Sequence, residues 1–255
     1  MPQLAALAEL LDDAAGSSTA VAQLSATAQL SVADAYAIQR LSIDRRLARG
    51  EQLVGVKLGF TSRRKMIEMG IDDIVWGRLT DRMMIEDGGV IRLDSYVRPR
   101  VEPEIAFLLK RPLVGEVSMA EALAAIEAVA PAMELIDSRY RDFRFNLADV
   151  IADNCSAAGF VLGAWRPPDI DLSNLEVVLE FAGHPVKIGS STAISGHPVR
   201  SLVNAARLAG NKDLVLEAGW IILAGAATEA EALRAGVHTR TVVEQLGTAE
   251  FTVQK

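Results

Sequence analysis

The sequence predicts an α+β fold in which a helical N-terminal region, residues 1–50, caps a strand-rich mixed body, residues 51–255, within one folding unit. Three observations predict it. The first fifty residues carry apolar side chains at helical spacing, the later residues form short apolar runs separated by turn residues, and half of the chain is hydrophobic. A chain of 255 residues with this composition can bury one large core.

Helices account for the N-terminal region and for the start of the body. An Ala- and Leu-rich helix is predicted over residues 3–15. A second helix begins after Ser31, which forms a capping-box pattern with Asp34, and it stops at Gly50. A short helix is predicted from Thr61 to Gly70.

The body alternates strand and turn signals, and residues 71–88 are predicted to be a long connection with little regular structure. The other predicted elements are strands at 52–60, 101–109, 159–163 and 217–225, helices over 118–130 and near 198–209, and hairpins that turn at 182–183 and 246–247.

Composition excludes several classes of protein. The net charge is −7 and the pI about 5.1, with no basic stripe for nucleic acid and no Lys-rich amphipathic helix for a membrane surface. The N-terminus lacks the basic region of a signal peptide, and no apolar run approaches the roughly 18–20 residues of a membrane-spanning helix. A single cysteine, Cys155, excludes an intrachain disulfide. We therefore expect a cytoplasmic protein that binds neither nucleic acid nor membrane.

Glu102 and Glu104 stand in an otherwise apolar run, residues 101–109, that predicts a buried strand. Because strand side chains alternate between faces, both carboxylates point the same way at a spacing of roughly 6–7 Å. Glu134 has a similar apolar context. Three such carboxylates predict an oxygen-ligand site for Mg²⁺ or Mn²⁺, which would remove both their repulsion and their cost of burial. The alternative is that the pair lines the solvated face of an edge strand, to which Pro103 is suited.

Lys57 lies in a predicted strand with Gly55 and Gly59 on its own face. Glycine inside a strand often marks close approach of a ligand or of another backbone. Lys57 is therefore a candidate catalytic or anion-binding group. The alternative is a surface lysine on an edge strand.

Six segments of the chain share a characteristic order and spacing. They are GVKLGFTS (55–62), WGRL (76–79), RVEPEIAF (100–107), PAMELIDSRY (131–140), ADN (152–154) and GHP (196–198). Together they resemble the 2-keto-4-pentenoate hydratase / 4-oxalocrotonate decarboxylase family, which is similar in fold to the fumarylacetoacetate hydrolase superfamily. The resemblance covers about residues 30–225 and weakens beyond them, where AGAAT (224–228) is less glycine-rich than the family's version. It implies a fumarylacetoacetate hydrolase-like, strand-rich roll.

The resemblance also implies a metal-dependent site. It implies a Mg²⁺ or Mn²⁺ ion held by Glu102, Glu104 and Glu134, which would polarise the 2-keto oxygen of a bound 2-oxo acid. Lys57 would lie near that oxygen, where it would bind substrate and stabilise developing charge. The remaining residues that the resemblance implies are Asp153 as a second catalytic residue and Arg139, Asn154 and Ser156 as substrate-binding residues.

Both reactions of this family run through a dienolate of a 2-oxo acid. The segment from Ile136 to Phe145 resembles the decarboxylase branch, which converts 4-oxalocrotonate (2-oxohex-3-enedioate) to 2-hydroxypenta-2,4-dienoate and CO₂ in the meta-cleavage pathway of aromatic catabolism. The alternatives are a 2-hydroxypenta-2,4-dienoate hydratase and, in another class, a non-catalytic subunit that binds metal or a 2-oxo acid. An intact set of three glutamates and a lysine argues against the non-catalytic subunit.

The decarboxylase hypothesis requires a pocket for a far carboxylate. We expect Phe143, Phe145 and Trp76 near that end of the substrate, with Arg139 orienting the carboxylate. The alternative for Arg139 is a salt bridge to a neighbouring acid, Asp137 or Asp142. The resemblance further implies a homo-oligomer and makes association with a partner hydratase plausible, because the dienol product is unstable.

Overall fold

The computed structural model of the chain describes residues 2–62, 66–67, 71–211 and 214–255. Much of the helix predicted from Thr61 to Gly70 lies outside the described residues. Of its described residues, 66–67 are helical and Thr61 and Ser62 are not, and the Met66 N–H donates to the Ser62 carbonyl at 3.0 Å.

In the described ranges, two helices lie in the N-terminal region and three more lie between strands of the body. They are α1 (Pro2–Gly16), α2 (Val32–Ala48), α3 (Met119–Ala125), α4 (Leu147–Ala152) and α5 (Pro198–Gly210). The capping box predicted for Ser31 and Asp34 starts α2. Across the described ranges, no helix combines the length and the apolar character that crossing a membrane requires.

The strands of the same ranges form two mixed sheets. They are β1 (Leu53–Gly59), β2 (Val75–Thr80), β3 (Met84–Ile85), β4 (Gly89–Arg92), β5 (Arg100–Leu109), β6 (Ile126–Ile136), β7 (Ala157–Leu162), β8 (Glu176–Phe181), β9 (His184–Ser190), β10 (Ile221–Leu223), β11 (Glu231–Ala232), β12 (His238–Val243) and β13 (Gly247–Gln254).

The larger sheet carries the residues of interest in its centre. Its strand order is β2-β1-β10-β5-β6-β7-β3, with β11 also paired to β5, and the smaller sheet has the order β4-β13-β12-β8-β9. β1 runs parallel to β10, whereas β5 runs antiparallel to β10 and to β6. The two sheets share an apolar cluster that includes Val101, Met133, Leu135, Phe251 and Val253. The predicted α+β class is confirmed.

The sheet order excludes the edge-strand alternatives. β5 lies between β10 and β6, and β1 lies between β2 and β10. The interpretation of Glu102 and Glu104 as a solvated edge pair is therefore wrong, and so is the interpretation of Lys57 as a surface lysine, because its side chain is 4% exposed.

Three element predictions were wrong in extent. The connection predicted over 71–88 contains β2, whose six residues are all buried, so the alternation that marks a half-buried strand is absent. The helix predicted over 118–130 ends at Ala125, where the chain becomes extended and pairs with β5 as β6. The strand predicted over 217–225 shrinks to β10, residues 221–223.

The N-terminal helices are joined to the body through a shared apolar cluster. It contains Leu11 of α1, Ile38 of α2, Ile151 of α4 and Tyr140, all buried. The division of the chain at residue 50 stays a prediction.

Candidate metal centre

Three glutamates converge on one face of the larger sheet. Glu102 and Glu104 project from β5, and Glu134 lies directly opposite Glu102 on β6. One carboxylate oxygen of each residue lies within 4.8 Å of the others. Their residues are 9%, 0% and 0% exposed, respectively. These three side chains meet, as the sequence predicted, because strand alternation and this register place them on one face.

Two carboxylates of this cluster, those of Glu104 and Glu134, have fewer hydrogen-bond partners than buried carboxylates require. Oε2 of Glu104 accepts a 2.8 Å hydrogen bond from the Gly225 N–H, but Oε1 of Glu104 and Oε1 of Glu134 are buried without a hydrogen-bond partner. An ionised oxygen that is buried without a hydrogen-bond partner destabilises the folded protein unless a cation is present. A set of carboxylate oxygens at this spacing fits a hard divalent cation such as Mg²⁺ or Mn²⁺.

Lys57 is brought to the same face by the strand pairing. It lies beside Leu223 of β10, which in turn lies beside Ala106 of β5. Residue 106 shares its face with Glu104, because the two are two positions apart. The Lys57 ammonium is 2.9 Å from Oε2 of Glu134 and donates a 3.1 Å hydrogen bond to the Cys155 carbonyl.

The charges of this cluster shift one another's proton affinities. Burial raises the pKa of Glu104 well above its usual value, and the charge of Glu134 raises it further. Burial likewise raises the pKa of Glu134 to about 7, although the Lys57 ammonium opposes the shift. Burial by itself would lower the pKa of Lys57, but the attraction of Glu134 and the other acids raises it above its ordinary value. When all three carboxylates are ionised, they and the one ammonium leave a net negative charge, which a divalent cation would compensate.

A strained turn supplies the second contact of Lys57. Asn154, Cys155 and Ser156 all have positive φ, at 51°, 51° and 61°, in the left-handed region that side chains rarely adopt. The Asn154 side chain holds the turn against β2, because it accepts from the Arg78 N–H at 2.7 Å and donates to the Arg78 carbonyl at 2.9 Å. Gly77 permits this close approach, since a Cβ there would meet the Asn154 carbonyl oxygen at 2.5 Å. The turn is therefore built to place the Cys155 carbonyl at the lysine.

A cavity of about 560 Å³ opens onto the cluster through Lys57 and Glu102. Its wall combines polar groups with three aromatic rings, those of Phe60, Phe143 and Phe145. The lining residues used below are Arg100, Phe143, Phe145, Ser156 and Glu229. A volume of this size accommodates a small organic acid.

The structure separates three of the sequence-predicted residues from this cavity. The Arg139 guanidinium forms a buried ion pair with Asp153 and also donates to the Asp153 and Ala157 carbonyls. With Asn154, both residues line a different cavity of about 260 Å³ near α1 and α2. Arg139 therefore pairs with neither Asp137 nor Asp142, the two acids that the sequence offered as partners.

The aromatic expectations are met in part. Phe143 and Phe145 line the larger cavity, with ring centroids 5.5 Å apart. Trp76 instead stacks on Tyr36 of α2, with ring centroids 5.7 Å apart, and is 2% exposed. Its position on β2 points it away from the site, toward the N-terminal helices.

Arg100 is a cavity residue that the sequence prediction missed. It stands two residues before Glu102 on β5, so strand alternation places it on the same face as the acids. Its guanidinium carbon is 4.7 Å from the centroid of the Phe143 ring. The alternation that identified Glu102 and Glu104 was sufficient to find it, since Arg100 continues the same series.

A family model and several known proteins match this chain. The fumarylacetoacetate (FAA) hydrolase C-terminal family model matches residues 63–254. A 4-oxalocrotonate decarboxylase of a Pseudomonas species is 55% identical over 250 residues, which is 98% of each chain. A 2-keto-4-pentenoate hydratase of Paraburkholderia xenovorans (strain LB400) is 37% identical over 210 residues, covering 81% of this chain and 78% of the relative.

A solved structure matches the whole fold. It is the 4-oxalocrotonate decarboxylase from Pseudomonas putida G7 complexed with magnesium and adipate, with a TM-score of 0.96 and 33% identity. The match covers 99% of this chain and 97% of that one. With a family match over three quarters of the sequence and full-length relatives, the chain belongs to the fumarylacetoacetate hydrolase family, alongside 4-oxalocrotonate decarboxylases and the related hydratases.

Proposed function

We propose that this chain is a lyase, a metal-dependent decarboxylase that converts 4-oxalocrotonate to 2-hydroxypenta-2,4-dienoate and CO₂ in the meta-cleavage pathway. The observation that carries the proposal is the buried group of three glutamates and Lys57 at one end of a cavity large enough for a six-carbon diacid. The 55% identity over the full chain to a 4-oxalocrotonate decarboxylase supports this substrate.

The residues that would hold the metal are Glu102, Glu104 and Glu134. The unpartnered oxygens of Glu104 and Glu134 and the negative charge of the three carboxylates fit Mg²⁺ or Mn²⁺, and the P. putida G7 relative is complexed with magnesium. A cation bound there would polarise the 2-keto group and lower the energy of an enolate.

The chain's own contribution at the reacting end comes from Lys57. In the reaction the C5–C6 bond breaks, its electron pair forms the C4–C5 double bond, and the conjugated electrons move toward the oxygen on C2. The Lys57 ammonium is held by the Glu134 carboxylate and the Cys155 carbonyl, so it is already oriented before substrate arrives. A hydrogen bond from Nζ to the C2 oxygen strengthens as negative charge develops there, which lowers the barrier.

The apolar part of the cavity wall would shield the chain of the substrate from water. Phe143 and Phe145 present aromatic rings, and Ala226 and Ala227 present small apolar side chains. Exclusion of water strengthens the electrostatic interactions of Lys57 and leaves the dienolate without an attacking hydroxyl.

The other sequence-predicted residues divide into two groups. Ser156 lines the cavity and stays a proposed substrate-binding residue. Arg139, Asp153 and Asn154 do not line it, so we assign them a positioning role. The Arg139–Asp153 ion pair and the Asn154 contacts with Arg78 anchor the turn that carries the Cys155 carbonyl and Ser156.

Hydration of 2-hydroxypenta-2,4-dienoate is the second candidate function, favoured by the 37% identity to a 2-keto-4-pentenoate hydratase. Both substrates should be tested on the purified protein with Mg²⁺. Release of CO₂ from 2-oxohex-3-enedioate, with little formation of 4-hydroxy-2-oxopentanoate from the dienol, supports the decarboxylase. The reverse pattern identifies a hydratase, and no turnover of either compound identifies a non-catalytic binding subunit.

Assembly and location belong to the same proposal. We propose a cytoplasmic homo-oligomer that associates with a partner hydratase, which would consume the unstable dienol as it leaves. The exposed apolar side chains of Ile188 and Val186 on β9, an edge strand of the smaller sheet, support association with another chain. Light scattering of the purified protein, alone and mixed with a hydratase from the same pathway, measures both associations.

A further inference from the structure

Among the described residues, no acid forms an ion pair with the guanidinium of Arg100. Its Nε is buried and has no hydrogen-bond partner within the described residues. Two acids of the neighbouring segment form ion pairs with Lys187: Glu229, which lines the cavity, at 3.9 Å, and Glu231 of β11, which also pairs with Arg234, at 3.6 Å. A guanidinium in a half-buried site is costly to leave unpaired, and its planar fork matches a carboxylate.

The position of Arg100 relative to the acids matches the length of the proposed substrate. Residues two apart on a strand are separated by roughly 6–7 Å, so Arg100 lies one such step from Glu102 and two from Glu104. The two carboxyl carbons of an extended six-carbon diacid are joined by five bonds of about 1.5 Å and lie roughly 6 Å apart. A diacid whose 2-oxo end lies at the glutamates therefore presents its far carboxylate to the Arg100 end of the cavity.

The contact with Phe143 fixes the guanidinium in place. The ring lies 4.7 Å below the guanidinium carbon, which leaves the edge nitrogens available to a carboxylate in the plane of the fork. Arg139, the residue that the sequence offered for this role, is occupied by Asp153 and lines the other cavity. Arg98, two residues before Arg100, is exposed, and its guanidinium lies 3.9 Å from the Asp142 carboxylate.

We propose that Arg100 binds the far carboxylate of the substrate and selects 2-oxo diacids over 2-oxo monoacids. The proposal rests on the proposed function for the identity of the substrate, and it names the residue that determines the substrate class. Because the far carboxylate leaves as neutral CO₂, the ion pair with Arg100 stabilises bound substrate more than the transition state. Its loss therefore raises KM and leaves kcat unchanged or higher, and the product, which lacks that carboxylate, is released from Arg100.

Two inhibitors that differ in the far carboxylate test the proposal. 2-Oxoadipate and 2-oxohexanoate share the 2-oxo acid end and the six-carbon chain, and their inhibition constants are measured with Mg²⁺ present. Wild-type protein should bind 2-oxoadipate at least about tenfold more tightly. In Arg100→Met, which keeps an apolar stem over Phe143, the two constants should become equal within about threefold, whereas Arg100→Lys should retain part of the preference. The matched control is Arg98→Ala, which should behave as wild type.

Equal inhibition of wild-type protein by the two acids, or an unchanged preference in Arg100→Met, overturns the proposal. An unchanged constant for 2-oxohexanoate in Arg100→Met shows that the metal end is intact, and Arg100→Gln replaces this variant if it fails to fold. The proposed function fails separately, if wild-type protein releases no CO₂ from 2-oxohex-3-enedioate. That result leaves the measured preference for the diacid, and its dependence on Arg100, unaffected.

Discussion

Glu102 and Glu134 lie directly opposite each other on adjacent antiparallel strands, β5 and β6, in the centre of the larger sheet. Like charges in such a cross-strand pair destabilise a sheet, and Glu104 adds a third charge on the same face. Clustered like charges of this kind destabilise an otherwise apolar core, and such locally unfavourable features are characteristic of functional sites. The pairing makes sense when a cation and the Lys57 ammonium share the site.

Glu104→Gln should weaken metal binding without destabilising the metal-free protein. The substitution removes one ligand charge, so Mg²⁺ affinity should fall by at least about tenfold, the lower end of what loss of even an outer partner costs. Stability of the metal-free protein should stay equal or increase, because one repelling buried charge is gone. Isothermal titration with Mg²⁺ and thermal unfolding measure the two effects. Glu127→Gln, on the exposed face of β6, is the control; an unaltered affinity in Glu104→Gln would contradict the ligand assignment.

Lys57→Ala should lower kcat by about 10²-fold or more, the cost of losing one donor to a developing oxyanion. The reason is that Nζ is oriented by Glu134 and Cys155 toward the reacting end of the cavity. Steady-state kinetics on 2-oxohex-3-enedioate measures it, with Lys110→Ala at an exposed position as control. A change confined to KM would mean that Lys57 binds ground state and transition state equally.

The metal-free protein should lose stability as the pH rises. The pKa of Glu134 is raised by burial from 4.5 to about 7, and that of Glu104 is raised as well. A carboxyl with a higher pKa in the folded state binds protons more tightly when folded, so its contribution is present at low pH and is lost as the pH passes from about 4.5 to about 7. The melting temperature of the metal-free protein should therefore be higher at pH 5.5 than at pH 8.

Mg²⁺ should reverse this trend, because it competes with those protons and binds best when the carboxylates are ionised. The rise in melting temperature on adding Mg²⁺ should be larger at pH 8 than at pH 5.5. Glu134→Gln removes one titrating group and should flatten the pH dependence of the metal-free protein. An equal Mg²⁺ effect at both pH values would contradict the assignment of the cluster as the site that binds it.

The sequence predicted those parts of the site that follow from strand alternation. Glu102, Glu104 and Lys57 are found by counting positions along single strands, and their meeting with Glu134 depends only on register. The Arg139–Asp153 pair was not predictable in this way. The two residues are 14 positions apart, and a turn of the backbone brings Asp153 to Arg139 in preference to the nearer acids Asp137 and Asp142. The run of positive φ at 154–156 had no signal, since none of its residues is glycine.

Gly225 lies in the loop that closes over Glu104. It has a φ of +108°, its N–H donates to Oε2 of Glu104, and a Cβ at this position would collide with the Thr61 side chain. Gly225→Ala should therefore reduce both stability and Mg²⁺ affinity, the first by about 1–3 kcal/mol from the backbone conformation and more from the collision.

Gly219→Ala is the matched control for that substitution. Gly219 has a φ of +82° and nothing within 4 Å of the added carbon, so this variant carries the backbone cost without the collision and without a contact to the acids. The free energy of unfolding should fall further in Gly225→Ala than in Gly219→Ala, and Mg²⁺ affinity should fall in Gly225→Ala and stay unchanged in the control. Because the Gly225 N–H orients a carboxylate that has one unpartnered oxygen, a normal Mg²⁺ affinity in a folded Gly225→Ala protein would show that Glu104 needs no such support to bind the ion.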